Sequence, residues 1–146
     1  MHVALGSDHA GFDLKERLKR CLDELQVTVE DCGCPSPESV DYPDIAETVA
    51  RKVASGAADR GILVCGTGLG MAMAANKVAG IRAAPACSEE TAALARGHND
   101  ANVLTLGGST TPAEQAAAIV RVFLRTRFDG GRHQRRIDKI AALERR

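Results

Sequence analysis

The run Cys65-Gly66-Thr67-Gly68-Leu69-Gly70 sets a thiol directly before three glycines at alternate positions. Glycines let a backbone approach a ligand closely. Where such a turn opens a helix, its free N–H groups point at whatever sits there, and the place stabilises an anion. That anion is a phosphate or an oxyanion formed during a reaction. The spacing is not the dinucleotide fingerprint, because Met71 or Met73 stands where G-x-G-x-x-G needs its third glycine, and no Gly-Lys-Ser/Thr follows to make a P-loop. A cysteine just before a helix start is expected to carry more thiolate character and to serve as a base. The plainer reading of Cys65 is a small apolar residue at a strand end.

Three further clusters carry polar chemistry. Asp8-His9 follows an apolar run at the start of the chain; its plainer reading is loop solubility with Asp8 as a helix cap. His98-Asn99-Asp100-Ala101-Asn102 is a dense polar run whose plainer reading is a helix stop. In Gly130-Gly131-Arg132-His133-Gln134-Arg135-Arg136, Arg132 and Arg136 are four apart and share one helix face. Two guanidinium groups on one face suit a phosphate, which accepts paired hydrogen bonds.

The elements that must position these groups alternate. Strands are predicted at 2–6, 27–30, 61–65, 81–85 and 103–106. Helices are predicted from Gly11 to Leu25, from Pro43 to about Ala54, from Met71 to Lys77, from Ser88 onward, from a Thr111-Pro112 cap to about Arg127, and from about Arg132 to Leu143. The first helix has Phe12, Leu14, Leu18, Cys21, Leu22 and Leu25 as its apolar set. Strand–helix alternation at this spacing predicts an α/β fold: a Rossmann-like, doubly wound, five-stranded parallel sheet with helices on both faces and a C-terminal helical extension. Ligands in such sheets bind beyond the carboxyl ends of the strands, near a reversal of strand order. That rule directs attention to Asp8-His9 after the first strand and to Cys65–Gly70 after the third.

With 146 residues, 45% of them hydrophobic, the chain is expected to form one domain over 1–146 with a core of its own. Nineteen Lys plus Arg balance nineteen Asp plus Glu, and there are only four aromatic residues, which argues against nucleic-acid binding despite a basic tail from Arg125. No apolar run approaches the ~20 residues of a membrane span. The five cysteines, Cys21, Cys32, Cys34, Cys65 and Cys87, are an odd number without a leader segment, so a reducing, cytoplasmic setting is expected rather than a disulfide framework. Cys32-Gly33-Cys34 lacks a second Cys/His pair to complete a metal site. No metal and no other cofactor is expected.

Ser7-Asp8-His9-Ala10-Gly11, Asp41-Tyr42-Pro43, the Cys65–Gly70 run, Ala74-Ala75-Asn76-Lys77, Gly80-Ile81-Arg82-Ala83, His98–Asn102 and Gly130-Gly131-Arg132-His133 together resemble the ribose-5-phosphate isomerase B family, which also contains galactose-6-phosphate isomerase subunits. The resemblance runs from the first strand to the last helix. It implies that Cys65 moves a proton between C1 and C2 of a phosphosugar. Thr67 and the N–H groups of Gly66, Gly68, Leu69 and Gly70 would hold the enediolate oxygen, and His98 would help open the furanose ring. Asp8, His9, Tyr42 and Asn99 would contact the sugar, while Arg132 and Arg136 would anchor the phosphate. Some members use a glutamate at the position of Met71 here, which places this chain in the cysteine type. Many carry an arginine where Ser109 stands, so Ser109 offers one hydroxyl and no charge at the phosphate end.

The expected activity is therefore the metal-free interconversion of ribose 5-phosphate and ribulose 5-phosphate. The alternatives are an allose or galactose 6-phosphate, or a tetrose 4-phosphate, as substrate of the same chemistry. A non-catalytic flavodoxin-like binding module is a further reading, and it predicts no need for Cys65 and His98 together. Cys65 ends the third strand and His98 precedes the fifth, so in a parallel sheet they lie at opposite ends, a strand length of ~17–20 Å apart. A homodimer or dimer of dimers with shared sites resolves this, each subunit lending His98 to its partner. The run Met71–Ala75, apolar nearly all round, is the expected interface.

Overall fold

The computed structural model describes residues 1–146. The elements alternate as β1 (His2–Ser7), α1 (Phe12–Glu24), β2 (Thr28–Asp31), α2 (Tyr42–Ala54), β3 (Arg60–Cys65), α3 (Leu69–Ala75), β4 (Ala83–Pro85), α4 (Glu89–Asn99), β5 (Val103–Gly107), α5 (Ala113–Arg125) and α6 (Arg132–Leu143). All strand pairs are parallel, in the order β2-β1-β3-β5-β4. The predicted doubly wound α/β sheet is the fold observed.

Side-chain alternation along the strands divides the core into two layers. Val3, Leu5, Ile62, Val64, Leu104 and Leu106 pack with α1, α4 and α5 on one face. Ala4, Leu63, Cys65 and Val103 pack with α2 and α3 on the other. Both faces are covered, which is why β3 reads as an unbroken apolar run. Leu14, Leu18, Cys21 and Leu22 of α1 are buried as expected, whereas Leu25 is 37% exposed and Phe12 is half-buried at the helix start.

Helix starts follow local chemistry. Ser88 caps α4: the Thr91 N–H donates to Ser88 Oγ at 3.1 Å and the Ser88 N–H donates back to Thr91 Oγ1 at 3.2 Å. Pro43 sits in the first turn of α2. Most boundaries shift by a residue or two from the sequence reading, and three of the shifts have a local cause or consequence. Thr111 makes no capping bond to α5, whose flanking residue is Pro112. The strand at 81–85 shortens to Ala83–Pro85, because Ile81 closes a turn on the Val78 carbonyl (3.2 Å). The helix after the glycine turn starts at Leu69, two residues early, and ends at Ala75.

Candidate active site

Strand order reverses between β1 and β3, since β1 leads outward to β2 and β3 leads outward to β5. The loops leaving these two strands meet beyond the sheet's carboxyl edge. The Asp8 N–H donates to the Val64 carbonyl at 3.1 Å, and the Gly108 N–H donates to the Cys65 carbonyl at 2.7 Å, so the ends of β1, β3 and β5 are stitched together. Asp8 is buried, and its Oδ1 accepts the Gly11 N–H at 3.0 Å. His9 is exposed, with Nδ1 accepting the Val40 N–H at 3.3 Å and Nε2 without a partner in the chain.

Cys65 ends β3 with its side chain toward α2 and α3 and is 5% exposed. The Gly68 N–H donates to Cys65 Sγ at 3.1 Å. Gly68 takes φ +82° and lies so close to the Leu106 backbone that a Cβ would sit 3.0 Å from it, so glycine is required twice over. The Leu69 N–H is taken by Thr67 Oγ1 at 3.3 Å, while the N–H groups of Gly66, Thr67 and Gly70 have no acceptor within the chain. These are the free donors expected of an anion-stabilising turn. The Tyr42 ring lies against Gly70, where a Cβ would come within 2.6 Å of it, and so walls the turn. Ser109 is exposed beside this cluster, its N–H donating to the Gly66 carbonyl at 3.0 Å. Asp8, His9, Tyr42, Cys65, Thr67, Gly66–Gly70 and Ser109 thus form one group.

His98, Asn99, Arg132 and Arg136 form a second group at the other end of the sheet. Cys65 pairs with Gly107 while Gly61 pairs with Val103, and His98 precedes Val103. The two groups are separated by at least four residues of strand, about 13 Å. His98 and Asn99 close α4; Arg132 and Arg136 are exposed on α6, which packs on α4. The His98 and His133 rings stack, and His98 Nε2 lies 3.9 Å from Asp129 Oδ2. Burial, together with His98, Arg132 and Arg136 nearby, holds the His133 imidazole below its ordinary pKa.

His98, His133 and Asp129 bring ligand atoms within 4.8 Å of one another. The two rings are nearly parallel, so their in-plane lone pairs run side by side instead of converging on one ion, which needs ~2.0–2.1 Å to each nitrogen. The arginines alongside add positive charge. The cluster suits an anion, not a cation.

His133 and Asp129 were not singled out in the sequence as site residues. The signal for His133 was present, since it stands between Arg132 and Arg136 and one turn from Gly130. Asp129 carried no signal: its role comes from α5 ending beside α4, where the Asp129 N–H donates to the Gly97 carbonyl at 2.9 Å.

A thiol at a strand end, aimed at by a backbone N–H and flanked by unpaired donors on a doubly wound sheet, defines an α/β domain built for an anionic small molecule. The family model described as Ribose/Galactose Isomerase matches residues 3–140, and the chain belongs to that family. It is 47% identical over 144 residues to ribose-5-phosphate isomerase B of Escherichia coli, covering 99% of this chain and 97% of that one. The solved ribose-5-phosphate isomerase B of Clostridium thermocellum superposes with a TM-score of 0.98 at 46% identity, covering 99% of this chain and 98% of that one. The Mycoplasma genitalium enzyme, solved with bound ribulose-5-phosphate, superposes with a TM-score of 0.95 at 47% identity over 99% and 96% of the two chains. No helix is long and apolar enough to cross a membrane.

Proposed function

We propose that this chain interconverts ribose 5-phosphate and ribulose 5-phosphate by proton transfer through an enediolate. One observation carries the reading: the buried Cys65 thiol accepts the Gly68 N–H at 3.1 Å in a turn where the N–H groups of Gly66, Thr67 and Gly70 have no acceptor. The likeness to ribose-5-phosphate isomerase B over nearly the whole chain supports it. So does the ribulose-5-phosphate bound in the Mycoplasma genitalium relative.

The reaction needs a base, an oxyanion site and a route for hydroxyl protons. His98 assists ring opening by giving a proton to the ring oxygen as its bond to C1 breaks, and the C1 hydroxyl gives up its proton to restore the imidazole, leaving the open-chain aldehyde. Cys65, as thiolate, takes the proton from C2 and later returns it to C1. The negative oxygen formed at C1 is held by Thr67 and the free N–H groups of the turn, in a site where fixed dipoles need no reorganisation. The hydroxyl proton of O2 ends on O1, so the ketose forms with no net gain or loss. Asp8, His9, Tyr42 and Asn99 orient the sugar, and Arg132 and Arg136 take the phosphate. None of these steps calls for a metal or cofactor.

The site is completed by a second copy of the chain. The separation of Cys65 from His98 within one subunit supports this, as do the exposed apolar side chains beside the thiol: Leu69 at 54%, Met73 at 68% and Tyr42 at 39%. Covering them brings a partner's His98, Asn99, Arg132 and Arg136 over the Cys65 turn.

The test is ketose formation followed spectrophotometrically from ribose 5-phosphate, beside allose 6-phosphate and erythrose 4-phosphate, in wild type and Cys65→Ala. Turnover of ribose 5-phosphate alone, abolished in the variant with substrate binding kept, is expected. Faster turnover of another sugar would reassign the substrate, and no turnover of any would leave a binding module.

A further inference from the structure

His98 and Asn99 are the last residues of α4, and beside the His98–His133 stack their backbone is fixed by contacts that neither side chain makes. The next residue, Asp100, turns the chain with φ +45° and ψ +44°, a left-handed conformation that is costly for a residue with a side chain. Two guanidinium groups enclose it. Arg96 Nη1 donates to Asp100 Oδ1 at 2.8 Å and to the Ala101 carbonyl at 2.6 Å. Arg82, just ahead of β4, donates through Nη2 to Asp100 Oδ2 at 3.2 Å and to the Asp100 carbonyl at 2.9 Å, and through Nε to the Asn99 carbonyl at 2.9 Å. The carbonyls of 99, 100 and 101 are therefore all taken by arginine.

A helix leaves its last carbonyls unpaired and its C-terminus partly negative. Cations there are common, but a single lysine in solvent would suffice for that. Here Arg96 has a side chain only 4% exposed and Arg82 one 23% exposed. The planar fork reaches several acceptors in a fixed geometry, which an ammonium on a flexible stem does not. The Arg82 backbone is itself registered to this segment: its N–H donates to Asn102 Oδ1 at 2.8 Å and its carbonyl accepts the Asn102 N–H at 3.0 Å.

We infer that Arg82 and Asp100 are positioning residues for the isomerisation, the Arg82–Asp100–Arg96 clamp fixing the backbone from which His98 and Asn99 reach the substrate. The inference rests on the shared-site reading, in which these two residues serve the partner's thiol. Neither clamp residue touches the sugar; each acts through the α4 terminus. The phosphate anchors, Arg132 and Arg136, stand on a different helix and make no bond to the clamp. A displacement of about 1 Å at a reacting group lowers turnover by up to about a hundred-fold while leaving binding that comes from elsewhere largely intact.

The test uses Arg82→Lys, which keeps the charge and removes the fork, and Asp100→Asn, which keeps a residue tolerant of the left-handed turn. Each is expected to lower kcat by about ten-fold or more with KM within about three-fold of wild type, in assays run well below a thermal midpoint that the lost charge-assisted contacts themselves lower. Arg82→Lys protein is then mixed, under subunit exchange, with Cys65→Ala and separately with His98→Ala; Cys65→Ala with His98→Ala is the control. Activity should return with Cys65→Ala, whose own α4 terminus is intact. It should not return with His98→Ala, where every working thiol faces either no imidazole or a displaced one. Wild-type kcat in both variants, or equal recovery with both partners, overturns the clamp's role. No recovery in the control refutes the shared site instead, and the split between kcat and KM then decides for Arg82 and Asp100 on its own.

Discussion

The imidazole of His98 lies face to face on that of His133, with centroids 4.2 Å apart and planes 13° from parallel. His133 is buried and held below its ordinary value of 6.5, first by burial and then by His98, Arg132 and Arg136. The unfolded chain therefore binds a proton at this residue before the folded chain does as pH falls. The stability that neutral His133 contributes is present in full above pH 6.5 and lost progressively below it. We expect the wild-type thermal midpoint to drop as pH falls below about 6.5, and the drop to be shallower in His133→Gln. Equal slopes in both proteins would remove His133 as the source.

Reactivity among the five cysteines should separate access from consequence. Cys87 is exposed, and burial raises the Cys21 and Cys32 thiols above their ordinary range. Iodoacetamide is expected to label Cys87 without loss of activity and Cys65 with full loss, and ribose 5-phosphate should protect Cys65 alone. Peptide mass spectrometry at partial inactivation checks this; retained activity with Cys65 fully alkylated would dismiss it as the base.

Arg132→Ala and Arg136→Ala should each weaken phosphosugar binding by roughly 1.5–3 kcal/mol, about ten- to hundred-fold in KM, since each removes a charge-assisted contact. Both residues are exposed on α6, so thermal midpoints should hold. An unchanged KM in both variants would place the phosphate elsewhere.

How much of this was readable beforehand differs by the kind of physics involved. Strand and helix identities followed from apolar periodicity, and the Cys65 turn from three glycines in sequence. The α1 register was readable too, except that Lys15 sits in the buried stripe with its side chain fully enclosed. No periodicity flags a buried lysine, because what makes it tolerable is Asp31, sixteen residues away, and the Cys34 carbonyl. The same holds for Arg82 and Asp129, ordinary surface residue types whose partners at the end of α4 lie far along the chain, whereas Arg96 meets Asp100 only four residues on. The two-group division of the site was legible from strand direction alone, since a parallel sheet fixes which end each loop occupies.

Ser109 is tied to the Gly66 carbonyl beside the thiol, so a longer side chain there projects from the rim of the turn. Ser109→Arg is expected to lower KM for ribose 5-phosphate by about ten-fold, the worth of one added charge-assisted contact. Isothermal titration with the catalytically dead Cys65→Ala background reads the affinity directly. Unchanged or weaker binding would mean that this chain holds its phosphate by α6 alone.

Lys15 and Asp31 should be unequal in what their loss costs. Lys15 Nζ donates to both Asp31 oxygens at 2.8 Å and to the Cys34 carbonyl at 2.8 Å, with no exposure to solvent. Asp31→Ala leaves that ammonium enclosed without its main counter-charge, a cost of about 3–5 kcal/mol. Lys15→Met leaves Asp31, whose side chain is 32% exposed, still paired with Lys19 at 2.6 Å, a cost of about 1–2 kcal/mol. Urea unfolding at matched protein concentration ranks them; the reverse order would mean the ammonium is solvated in the folded state.

The outermost strands of the sheet discourage pairing with another chain. On one flank β4 is three residues long and closes on Pro85, which has no N–H to offer. On the other, β2 carries Thr28, Glu30 and Asp31, with acidic side chains that repel a like strand. Neither flank is a template for edge-to-edge pairing, so the sheet does not extend into a neighbouring molecule or seed a fibril. Under the shared-site proposal, contact between copies is thereby left to helix and loop surfaces such as that around the exposed Met73, which do not propagate as a sheet edge does.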